Sequence, residues 1–115
     1  MSEIDQAQAL RTQLHIRGRW VDAAGGATFE STSPATGEVL GVLAEAGAED
    51  ARAAVAAAGR AVERLAGLSI YDRARLCHGV ADAIERRREK LARLLSLEQG
   101  KPYAEAFSEV GFAAE

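Results

Sequence analysis

The sequence predicts a short antiparallel β region followed by three or four α-helices, and three observations carry that expectation. Up to Gly47 the apolar residues come in brief runs broken by turn formers, whereas beyond it they recur at helical spacing. No apolar run approaches the roughly 18–20 residues of a membrane span. Alanine dominates the apolar content while aromatics make up only 5% of the chain, so helices can approach closely but each contact buries little.

Residues 1–13 are polar and helix-tolerant and read as a lead-in; the folded part runs over 14–115. "LHIRGRWV" (14–21) has Arg17-Gly18 at its middle, where a tight turn needs positive φ. "DAAGGA" (22–27) is a loop, "TFESTS" (28–33) a β-rich run, and "PATG" (34–37) a turn with proline opening it and glycine closing it. "EVLGVL" (38–43) is a further apolar stretch, so two or three short antiparallel strands are expected.

The first helical stripe is Ala51, Ala54, Val55, Ala58, Val62 and Leu65, with Glu49 and Asp50 at the positive end of the helix dipole and Gly67 closing it. Ser69 and Asp72 form an acidic variant of the capping box, opening a helix whose apolar line is Leu76, Val80, Ala83 and Ile84. Leu91, Leu94, Leu95 and Glu98 share a third face. Gly100 ends it as a left-handed cap, and Pro102 stands where a first helical residue belongs. The final helical run reaches Glu115 without a glycine cap or proline stop, so the chain is expected to be truncated.

Composition excludes several functions. Residues 1–57 carry a formal −4 and residues 58–115 +1, so neither half has the basic balance that nucleic-acid backbone binding requires. In the basic run "ERRREKLAR" (85–93), Glu89 is placed to pair with Arg93, and the run reads as a solvated helix face; nucleic-acid contact through Arg86, Arg87, Arg88 and Arg93 is the alternative. A single cysteine, Cys77, leaves no internal disulfide, and the acidic N-terminus lacks the layout of a secretory signal, so a soluble cytoplasmic protein without membrane partners is expected.

Gly100-Lys101 is not a phosphate-binding loop: Leu95 and Pro102 stand where that motif needs glycine and a hydroxyl residue. Cys77-His78 fails as a nucleophile–base pair because helix neighbours point about 100° apart; a half-buried thiol beside a surface imidazole is the expectation. His15 has no second metal ligand near it in sequence. Glu98 is open to two readings, an exposed acid paired with Lys101 or a ligand to a cation.

With those residues described, "HIRGRWVDAAGGATFESTSPATGEVLG", "GAEDARAAVAAAGRA" and "DRARLCHGVADAIERRREKLARLLSLEQGKP", in that order, resemble the N-terminal segment of an aldehyde dehydrogenase. "SLEQGKPYAEA" is most similar to the succinate-semialdehyde dehydrogenase branch. The resemblance implies an α/β fold, with 14–115 as the N-terminal part of its cofactor-binding domain, and the E-x-G-K-P stretch as a helix joint. It further implies oxidation of an aldehyde to a carboxylic acid with NAD or NADP. There a cysteine thiolate attacks the aldehyde, the nicotinamide takes the hydride, and a glutamate activates the hydrolytic water.

By the same resemblance every catalytic and cofactor-binding residue lies downstream of this segment, Cys77 is a packing position, and the chain alone is inactive. The complete enzyme is expected to be a homo-oligomer. Several family members bind a monovalent cation through positions that match Ser31, Thr32 and Glu98. Ser33 stands where the family has asparagine, and Glu98-Gln99 where Asp-Thr is commoner. The non-enzymatic alternative is a remnant that docks its apolar helical faces on a protein partner.

Overall fold

A computed structural model describes residues 12–115. Four strands form two separate hairpins: β1 (Leu14–Ile16) pairs with β2 (Arg19–Val21), and β3 (Thr28–Thr32) with β4 (Val39–Ala44), both antiparallel. Four helices follow, α1 (Ala48–Ala66), α2 (Ile70–Glu85), α3 (Arg88–Gln99) and α4 (Tyr103–Phe112). One strand more is present than the sequence predicts, because "LHIRGRWV" folds on itself. Arg17 and Gly18 take φ of 56° and 73°, the pattern of a type I′ turn, and this fixes Leu14 opposite Val21 and His15 opposite Trp20.

The second hairpin closes over Pro34–Gly37, where the Gly37 amide donates to the Ser33 carbonyl at 2.8 Å. Ser33 is buried there, and its hydroxyl accepts from the Thr36 amide at 3.4 Å. A register irregularity lies between Ser31 and Thr32, just before this turn. The hairpins meet where the Ala44 amide donates to the Thr12 carbonyl at 2.9 Å.

α1 begins at Gly47, and its Asp50 carboxylate accepts the Gly47 amide at 2.9 Å. Ser69 caps α2: its hydroxyl accepts the Asp72 amide at 3.1 Å and donates to the Asp72 carboxylate at 2.6 Å. That hydroxyl, then the paired Arg75 guanidinium, hold the Asp72 carboxyl below the usual aspartate range. α2 gives way to α3 at Arg86–Arg87, and α3 ends on Gly100 in the left-handed conformation, φ 69°. Pro102 is the N-cap of α4 rather than its first helical residue, since its ψ of 138° is extended.

The core is small. Ala92, Ala106 and Val110 are buried where α3 crosses α4, with Ile84, Leu91, Leu95 and Phe107 packed around them. The apolar stripe read on α1 is uncovered: Val55 is 72% exposed, Val62 60% and Leu65 48%. Amphipathic spacing selects a face for burial, but nothing in the described residues covers this one.

Candidate functional site

The most informative junction joins the β3–β4 turn to the end of α3. At Gly100 the left-handed backbone excludes most side chains, and a Cβ there would lie only 3.0 Å from Pro34 Cγ. The turn after Thr32 is therefore packed against the cap two residues beyond Glu98. The Ser96 hydroxyl, donating to the Lys101 carbonyl at 2.7 Å, fixes the same joint from inside. Ser31 is half-buried, while Thr32 and Glu98 are exposed at the rim. So the fold brings the β3 end and the α3 end, which carry the three sequence-selected residues, to one corner. Lys101 pairs with Glu109 of α4, so in place of the Lys101–Glu98 pair the joint after α3 is tied to α4. Glu98, expected on the apolar face with Leu91 and Leu95, lies where that face has already left the core. Among the described residues no cluster of three or more His, Cys, Asp or Glu side chains could hold a metal ion.

Asp50 has a role that the sequence reading did not give it. It is 7% exposed, and its second oxygen accepts the Ala24 amide at 3.0 Å. One carboxylate thus pins the 22–27 loop to the start of α1. The Gly47-to-Asp50 spacing announces the local half of this clamp; the contact to Ala24, 26 residues earlier, has no local signal.

The basic run divides into two kinds of residue. Arg86 and Arg87 are exposed, as a solvated face requires. Arg88 is instead a structural clamp. Its guanidinium stacks on the Phe107 ring at 4.1 Å, donates to the Phe107 carbonyl at 3.0 Å, and lies over Gly111. A Cβ at Gly111 would sit 2.2 Å from an Arg88 nitrogen, so only glycine leaves the guanidinium its place. Arg93 lies 5.4 Å from the Tyr103 ring centre.

Cys77 is exposed on α2 rather than half-buried, with exposed His78 beside it. The helix directs the two side chains apart, and they form no nucleophile–base pair. His15 lies against Trp20 across the first hairpin, ring centres 4.8 Å apart and planes tilted by 51°. An open groove of about 410 Å³ runs between α2 and α4, lined by Ala81, Asp82, Glu85, Ser108 and Phe112. It gathers acids and apolar surface without a reactive constellation.

Comparison with known sequences places these elements. The sequence model of the aldehyde dehydrogenase family matches residues 20–115. The chain belongs to the aldehyde dehydrogenase family. It is 38% identical over 112 residues to the glutarate-semialdehyde dehydrogenase of Pseudomonas aeruginosa, a match covering 97% of this chain and 23% of that protein. The NADP+-dependent succinate-semialdehyde dehydrogenase of Escherichia coli K12 matches with the same identity and coverage. Among solved structures, an NAD-dependent aldehyde dehydrogenase from Sinorhizobium meliloti superposes with a TM-score of 0.88 at 43% identity, over 97% of this chain and 22% of that one. The chain thus spans about a quarter of the length of the aldehyde dehydrogenases it matches, and its hairpins and helices are the family's N-terminal elements.

A dinucleotide's phosphates need a strand, a glycine-rich turn and an open helix N-terminus. Among the described residues the strand-to-helix junction is β4–α1, and there Asp50 already takes the Gly47 amide while Glu49 adds a second carboxylate. Those charges repel a pyrophosphate. The α1 terminus, closed by Asp50, therefore offers no open amides to a pyrophosphate.

Proposed function

We propose that this chain furnishes the first part of the cofactor-binding domain of an NAD(P)-dependent aldehyde dehydrogenase acting on a semialdehyde. The observation that carries the reading is the family match over residues 20–115, in a backbone arrangement shared with complete enzymes. The substrate class follows from the named relatives: glutarate and succinate semialdehydes are both short aldehydes with a carboxylate at the far end. A nicotinamide cofactor, when bound, supplies the hydride acceptor. In this reading the groups around it lie outside this chain, which agrees with an α1 terminus closed by Asp50 and an exposed Cys77.

In this reading the chain by itself is inactive. Its part is structural: the Gly100–Pro34 contact holds the 33–37 turn against the α3 cap, and Arg88 locks α3 to α4. At the first of these junctions, carbonyls at Ser31 and Thr32 with the Glu98 carboxylate form a monovalent-cation site in the complete enzyme. The complete enzyme is cytoplasmic and homo-oligomeric in this reading; no helix among the described residues is long and apolar enough to cross a membrane.

The test is a chimera in which this chain replaces the matching stretch of the P. aeruginosa glutarate-semialdehyde dehydrogenase. It should form NADH or NADPH from glutarate or succinate semialdehyde, while the 115-residue chain forms none. A folded chimera with no turnover on any semialdehyde, or turnover by the chain alone, would contradict the proposal. Glu98→Gln in the active chimera should weaken any activation by K+ or Na+ without abolishing turnover.

A further inference from the structure

We draw no further inference here: the strongest candidate, the open groove between α2 and α4 that Asp82, Glu85, Ser108 and Phe112 line, is an acidic and apolar surface, and nothing in the structure shows what covers it.

Discussion

The α3–α4 corner and the α1–α2 pair are built from the same alanine-rich material and end up in opposite states. α3 and α4 are short, 12 and 10 residues, yet they bury Ala92 and Ala106 completely and hold Arg88 between Phe107 and Gly111. α1 is 19 residues long with a clear apolar stripe, and among its residues only Asp50 is buried. Length and amphipathic pattern make a helix ready for burial; a partner surface within reach is what uses it. The difference teaches where the stability of this chain resides.

The largest effect should come from one substitution made in both regions. Ala106→Leu forces a larger side chain into the fully buried α3–α4 contact and should cost about 2–3 kcal/mol. Ala58→Leu, on the exposed side of α1, should change stability by less than about 0.5 kcal/mol. Urea unfolding followed by circular dichroism reads both, and equal costs would erase the contrast.

Next comes the side-chain clamp at the start of α1. Asp50→Ala leaves the Gly47 and Ala24 amides without their acceptor and should cost about 2 kcal/mol. In NMR spectra the Ala24 amide should shift and exchange faster, a change that a purely local cap could not produce.

The Arg88 clamp gives a test of sign. Arg88→Ala should cost about 1.5 kcal/mol through the lost stacking and the lost bond to the Phe107 carbonyl. Gly111→Ala displaces the guanidinium in the native background. With Arg88 already removed, the same change should stabilise α4 by up to about 1 kcal/mol, because alanine is the better helix former. Additive effects would mean that the two residues do not meet.

The smallest effect is at the α2 cap. Ser69→Ala should cost about 1 kcal/mol. The Asp72 carboxyl sits below its ordinary value in the folded state, so its contribution is present above the unfolded pKa and fades as pH falls through the folded one. Acid titration monitored at the Asp72 amide should show α2 fraying at its start below about pH 4, and Ser69→Ala should move that titration upward.

Much of this fold could be read from local chemistry. Arg17-Gly18, "PATG", Ser69 with Asp72, and Gly100 are each decided by a few neighbouring residues, and each turn or cap appears where those residues put it. What failed to show was long-range. The face of α1 was correctly identified as apolar, but no local rule says whether another element covers it. Arg88 looked like one more charge in a solvated run, since its partners Phe107 and Gly111 lie some twenty residues on. At the candidate site, Glu98 was legible as an acid next to a cap. What brings its helix end to the β3–β4 turn is Gly100 meeting Pro34, a contact between a turn and a helix joint more than sixty residues apart.

Native-state hydrogen exchange on the isolated chain tests the contrast most directly. Amides around Ala92, Ala106 and Val110 should be the slowest to exchange, and those of α1 from Val55 to Leu65 should exchange with little protection. Protection of α1 equal to that of α3 and α4 would mean that the chain completes its own core, and would contradict the account.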